Sequence, residues 1–176
     1  VAETFGAHIM GTAFYPAVVG GVDLSANFIR AQQAEARKDA ESVATAFDEA
    51  TRHAGVSAET RRIEADTGDV PSRFAHIARR FDLSVIGQFE RDKGHRTTNI
   101  VLEAALFESG RPVLIVPFIQ KDRLKLDHVM VCWDDSRAAA RAAADAMPFL
   151  TRSGTTSIVV ADTQSAKSAD LPGTDI

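Results

Sequence analysis

The chain is poor in cysteine, in tryptophan and tyrosine, and in long apolar runs, and each scarcity excludes a class of explanation. Cys132 is its only cysteine, so no disulfide forms within the chain, and that usage points to a reducing, cytoplasmic setting. Cys132 and the single tryptophan, Trp133, have no partner motif beside them and read as packing residues. No apolar run approaches the roughly 20 residues that a membrane span needs. Neither charge sign dominates: the net charge is −4 and the sequence pI about 5.7, which recommends neither a nucleic acid nor a membrane surface as partner. His8, His53, His76, His95 and His128 are scattered, with no pair at metal-ligand spacing. A nucleophile elbow, a Walker A loop and paired catalytic carboxylates are all missing, so the expectation is of a protein that is not an enzyme. No signal peptide is visible, and because the chain opens on Val1 rather than Met, a native start further upstream is expected.

What remains is an ordinary globular composition, 45% hydrophobic and 25% charged over 176 residues, enough for one domain or slightly more. The most informative stretch is Phe81 to Pro117. Leu83 to Ile86 is a short apolar run closed by Gly87, the pattern of a buried strand. Gln88 to Thr97 is polar and charged, hence loop. Thr98 or Asn99 is placed to cap a helix over Ile100 to Glu108, which Gly110 ends with Pro112 just beyond. Val113 to Val116 is a second buried strand, and a parallel strand–helix–strand unit accounts for all of this most economically. Ligands of such sheets bind where strand ends meet helix starts, so residues 87–99 are the first place to look for function.

Ahead of this unit, Val1 to Phe5 reads as the tail of an earlier element, and His8 to Phe14 as a strand. Asp23 or Ser25 caps a long helix over residues 26–53, with Val43, Phe47, Ala50 and Ala54 as its apolar face and Gly55 as its stop. Glu59 to Ala65 alternates charged and apolar residues, as a strand near a sheet edge does. Asp69 caps the next helix, Pro71 lies in its first turn, and Phe74, Ile77, Ala78 and Phe81 form its buried stripe. Behind the unit, Phe118 to Leu126 is too short for a crossover helix, so something new begins at Asp127. Val129 to Trp133 is a strand. Asp135 or Ser136 then caps an alanine-rich helix to Leu150, with Pro148 in its last turn. Thr156 to Ala161 is another strand, and 163–176 an aperiodic tail expected to be mobile. The fold expected from this alternation is α/β, a doubly wound parallel sheet with helices on both faces. Its expected core includes Ile9, Val85, Ile86, Val113, Ile115, Val129, Val131 and Val159.

HIMGTAF near the start and TSIVVADT near the end both follow a helix tail, which suggests a partial internal repeat. DLSVIG, a loop, a helix and then ESGRPVLIVP resembles the fourth strand, nucleotide loop and fifth strand of the universal stress proteins. VMVCWDDSRAAARAAADAMPFL resembles the first strand and helix of the same family, including an Asp-x-Ser strand end at Asp134 and Ser136. The resemblance implies that residues 1–120 are one domain without its first strand. Residues 127–162 then correspond to the first strand, helix and second strand of a second copy, in a tandem protein of which this chain is a part. It also implies a stress-response role, self-association through a sheet edge as a homodimer or pseudo-dimer, and ATP or another adenine nucleotide as ligand. The positions that correspond to the nucleotide site are Gly87, Gln88, Thr98, Asp134 and Ser136.

Nucleotide-binding members of that family carry Gly-x2-Gly-x9-Gly-Ser/Thr after the fourth strand. Counted from Gly87, the second glycine position holds Glu90 and the Gly-Ser/Thr position holds Ile100-Val101. A carboxylate where phosphate would sit repels it, and Ile100 and Val101 bring no hydroxyl, so ATP is expected to bind weakly. Several residues keep two readings. Gly87 serves either close backbone approach to a ligand or a simple strand-end turn. Arg91, Lys93, His95 and Arg96 form an anion site beside a helix start, or a solvated mixed-charge loop with Glu90 and Asp92. Asp134 contacts ribose or adenine, or only caps the next helix. The rival to weak nucleotide binding is a ligand-free module that dimerises through a sheet edge. The resemblance places the missing first strand between the strands at 8–14 and 83–87, and the segment Val129 to Trp133 is expected to insert there, in the same chain or swapped from a partner. Asp134 would then lie beside Gly87, leaving Thr156 to Ala161 surplus. The alternative is a fragment of a longer tandem protein whose missing N-terminal strand normally fills the place.

Overall fold

The computed structural model describes residues 1–17, 25–88, 96–120 and 122–160, the side chains of 96–98 excepted. It forms two compact units, Val1–Gln120 and Lys121–Ile176. Both are α/β, and every strand pair described is parallel. Among the described residues no helix is long and apolar enough to cross a membrane.

The first unit begins with a single helical turn, α1 (Ala2–Phe5), ended by Gly6 at φ 60. β1 (Ile9–Pro16) follows, then α2 (Ala26–Ala54). Ser25 caps α2, its hydroxyl accepting the Phe28 N–H at 3.3 Å, and Gly55 closes it at φ 65. The alternative cap, Asp23, lies outside the described residues. The buried face of α2 differs from expectation. Ala40 and Ala44 are buried and Phe47 half-buried, whereas Val43 is 62% exposed and Ala50 and Ala54 are exposed. The helix packs on β1 and β2, and alanines let its backbone approach them closely. Val43, three residues from Ala40 and four from Phe47, flanks that face and stays exposed.

β2 (Ala58–Ala65) pairs with β1 from Ile9↔Ala58 to Pro16↔Ala65. α3 (Val70–Ala78) carries Pro71 in its first turn as expected, but the Asp69 side chain makes no cap bond. The Ser72 hydroxyl instead donates to the Asp69 carbonyl at 3.0 Å. β3 (Ser84–Gly87) pairs in parallel with β4 (Val113–Val116), and α4 (Arg96–Glu108) makes the crossover. α4 starts at Arg96, ahead of the expected caps Thr98 and Asn99, which therefore belong to its first turn. The Asn99 amide instead donates to Glu103 one turn on, at 3.2 Å. The ends of α3 and α4 are tied reciprocally: Arg79 donates to the Glu108 carbonyl at 3.1 Å, and Arg111 donates to the Arg79 carbonyl at 3.2 Å.

In the second unit β5 (His128–Trp133), α5 (Arg137–Leu150) and β6 (Thr155–Val160) make another parallel crossover. Ser136 caps α5 by accepting the Ala139 N–H at 3.0 Å, and the helix continues through Pro148.

The ladders join the strands as β1–β2, β3–β4 and β5–β6, three two-stranded sheets where one doubly wound sheet was expected. Val131 pairs with Ile158. The expected insertion of Val129–Trp133 between the strands at 8–14 and 83–87 is therefore not found among the described ladders, and Thr155–Val160 is a paired strand rather than a surplus one. The physical reason is locality. α5 returns β6 directly beside β5, so that ladder closes a short loop, and loop-closure entropy favours it over a distant partner. Narrow sheets also explain the core. Of its expected members only Ile86 is buried; Ile9, Val113, Val129 and Val131 are half-buried, and Val85, Ile115 and Val159 are exposed at 45%, 41% and 46%. A strand with one neighbour leaves part of both faces and one edge uncovered.

Candidate functional site

The loop that the sequence singles out joins the C-terminal end of β3 to the start of α4. Gly87 is the last residue of β3, opposite Val116, and is exposed. Among the described residues, a Cβ built on it meets nothing within 4 Å. Gln88, also exposed, continues the ladder by donating its N–H to the Val116 carbonyl at 2.7 Å. Thr98 belongs to the first turn of α4, and its side chain is outside the described residues, as are Arg91, Lys93, His95 and Glu90. Of the two positions that depart from the family pattern, Ile100 is 52% exposed and Val101 half-buried. The strand end is thus an accessible platform with one backbone N–H already committed.

Asp134 and Ser136 follow β5 in the second unit. The Asp134 carboxylate accepts the Ser136 backbone N–H at 3.1 Å, while the Ser136 hydroxyl caps α5. Hydrogen bonds from the Ser136 side chain and backbone hold the Asp134 carboxyl below the usual carboxylate range. Asp135 between them adopts φ 61, a left-handed conformation that Asp tolerates better than most residues. The Asp-x-Ser pattern therefore builds a tight turn that starts a helix. Gly87 and Asp134 fall in different units, so the residues expected at the nucleotide site divide between them.

A second feature of the first unit lies between the strands at 8–14 and 83–87, where the resemblance implies an unfilled strand position. A groove of about 350 Å³ is lined by His8 and β1 from Ile9 to Thr12, by Leu83, Ser84 and Val85, and by Phe47, Phe74, Ile77, Ala78 and Phe81. Gly11 forms part of it because the Phe47 ring occupies the space a side chain would need, 2.8 Å from a built Cβ. The lone glycine inside a strand pattern was the available hint, since such a glycine often marks a close approach.

Among the described residues no group of His, Cys, Asp and Glu is arranged to hold a metal ion. The ring nitrogens of His8 and His128 are each 2.8 Å from a serine hydroxyl, Ser57 and Ser157. The chain matches no protein-family model and no curated protein.

Proposed function

We propose that the chain is a universal stress-type α/β protein that binds an adenine nucleotide or another small anion weakly beyond the C-terminal end of β3. The observation that carries this reading is the parallel β3–α4–β4 crossover, with the exposed Gly87–Gln88 strand end directly ahead of the segment leading to α4. Ligands of open parallel sheets bind at such strand ends, where helix starts favour negative charge. Glu90, Ile100 and Val101 in place of the glycine and hydroxyl pattern make the binding weak. In this reading β2–β1 and β3–β4 are two halves of one doubly wound sheet. The protein binds rather than catalyses, works in the cytoplasm in a stress response, and self-associates. Isotope-labelled protein titrated with ATP tests it: saturable amide shifts at Gly87 and Gln88 in the millimolar range are expected. Shifts confined to other residues, or none at all, overturn it.

A second reading, a ligand-free interaction module, is favoured by one observation. β1, β3, β4 and β5 each pair with a single neighbour, so each keeps an unpaired edge among the described ladders. Unpaired edges are templates for another chain.

A further inference from the structure

The outward side of α2 carries a concave face that neither the nucleotide site nor the sheet edges use. Ser42 lies about half a turn from both buried alanines, Ala40 and Ala44. Around it a furrow runs between two rows of side chains spaced four residues apart. One row is Ala34, Lys38, Ser42 and Ala46; the other is Arg37, Glu41, Thr45 and Glu49. All eight are exposed. Ala34, Ser42, Thr45 and Ala46 are short, which opens the furrow between the long side chains. Rows at this spacing are the ridges by which helices interlock most often, at a crossing angle near −50° and with about 8–10 Å between axes. A furrow between two of them therefore fits one row of another helix, and short side chains set the separation at the low end of that range.

The charges identify which helix fits. Arg37 and Lys38 lie in the N-terminal half of the furrow and Glu49 at its C-terminal end, and none of the three takes part in an ion pair among the described residues. Glu41 is already held by Arg62. Turned end for end about the point between Glu41 and Ser42, the eight positions fall on one another. Ala34 exchanges with Glu49, Arg37 with Ala46, and Lys38 with Thr45. A second α2 crossing antiparallel thus lays its Glu49 about one turn from Lys38 and Arg37, and two-fold symmetry repeats the pairing at the other end. A parallel copy would set Lys38 on Lys38 and Glu49 on Glu49, which repel. The Ser42 and Thr45 hydroxyls stay satisfied at such a crossing, because each can donate to the carbonyl one turn back.

We infer that this face of α2 is a self-docking surface, on which a second copy of the chain packs antiparallel through its own α2. The two-fold axis passes between Glu41 and Ser42, and Arg37 and Lys38 of each copy meet Glu49 of the other. The inference rests on the self-association proposed above, moves it from a sheet edge to a helix face, and is independent of nucleotide binding. Eight residues a side fall short of the roughly 20–30 of a standard interface, so the dimer is weak.

Sedimentation velocity of the full chain, from about 10 µM to 1 mM, should show a monomer–dimer equilibrium with a dissociation constant of roughly 0.1 mM, weakened by added salt. Lys38→Glu and Glu49→Lys lie at exposed positions, so the circular-dichroism spectrum should not change. Each should weaken the dimer at least about fivefold, and the double variant Lys38→Glu/Glu49→Lys should restore it to within about twofold. In a Cys132→Ser background, Ser42→Cys should give a disulfide-linked dimer on mild oxidation. Ala34→Cys should not, because its two copies stand about 22 Å apart along the helix axis. A dimer that either single reversal leaves unchanged would overturn the α2 assignment alone and return self-association to a sheet edge. A chain monomeric at every concentration would overturn both. A double variant no better than the singles, or Ala34→Cys cross-linking as readily as Ser42→Cys, would overturn the antiparallel docking. Ser42→Cys that cross-links to another polypeptide in cell extract but never to itself would assign the face to that partner and overturn the inference.

Discussion

Replacing Gly11 by alanine tests the packing on which the groove depends. A Cβ built on Gly11 lies 2.8 Å from Cδ1 and Cε1 of Phe47 and 3.0 Å from its Cγ. Ordinary contacts begin near 3.4 Å, so the ring must retreat by several tenths of an ångström. Overpacking of this kind costs about 1–3 kcal/mol. Against it stands the gain from removing glycine's freedom in the unfolded chain, about 0.4–1 kcal/mol. Phe47 is only half-buried and borders an open groove, so it relaxes more easily than a core ring, and the low end of the overpacking range applies. The net expectation is a loss of roughly 0–1.5 kcal/mol in urea denaturation, seen as a lower midpoint at unchanged slope. In a Phe47→Ala background the clash is gone, so Gly11→Ala should become neutral or stabilising, a coupling of about 1–2 kcal/mol. The reasoning fails if Gly11→Ala stabilises the unaltered protein, or if it costs the same in both backgrounds.

Other expectations concern the second unit. At Gly154 an added Cβ meets the Asp127 carbonyl oxygen at 2.8 Å, a backbone atom that cannot turn aside. Gly154→Ala should therefore destabilise the β5–β6 pair by about 1–3 kcal/mol, read from faster amide exchange at Val129 and Val131. Ser136→Ala removes the cap of α5, at a cost of about 0.5–2 kcal/mol in thermal unfolding of that unit. It should also let the Asp134 pKa rise toward its ordinary value, as carboxyl chemical shifts would show. Because the folded-state pKa of Asp134 is lowered, its contribution to stability is present at neutral pH. That contribution disappears as pH falls below the usual carboxylate range and through the folded-state value. A stability profile that instead falls on going from acid to neutral pH in a Ser136-dependent manner would contradict this.

Element order and local signals were legible in the sequence because they depend on neighbouring residues. Ser25 and Ser136 cap the helices assigned to them, and Gly55 stops α2 in a left-handed conformation. The charged alternation of Glu59 to Ala65 fits β2, which has a neighbour on one side only among the described ladders. What depends on distant residues was not legible. Ala40 and Ala44 form the buried face of α2, but alanine is a weak apolar marker, and Val43 at the flank of that face is exposed. The start of α4 at Arg96 was hidden by Thr98 and Asn99, residues that cap well but sit equally well inside a first turn. Nothing local in Val129–Trp133 tells which strand it pairs with; its ladder to β6 follows from the crossover through α5. Of the candidate site, the accessible Gly87–Gln88 strand end was visible in advance. The groove lies where the resemblance implied an unfilled strand position, between the strands at 8–14 and 83–87, but its aromatic lining from Phe47 and Phe74 was not visible, because those residues are far from both strands in sequence.

The central claim, a nucleotide or anion site weakened by Glu90, is tested most directly by titration calorimetry of ATP into the unaltered protein and into Glu90→Gly. The account predicts a dissociation constant weaker than micromolar for the unaltered protein. It predicts tighter binding, by roughly tenfold or about 1.4 kcal/mol, once the carboxylate is removed. Micromolar or tighter binding by the unaltered protein, or no gain from Glu90→Gly, would contradict it.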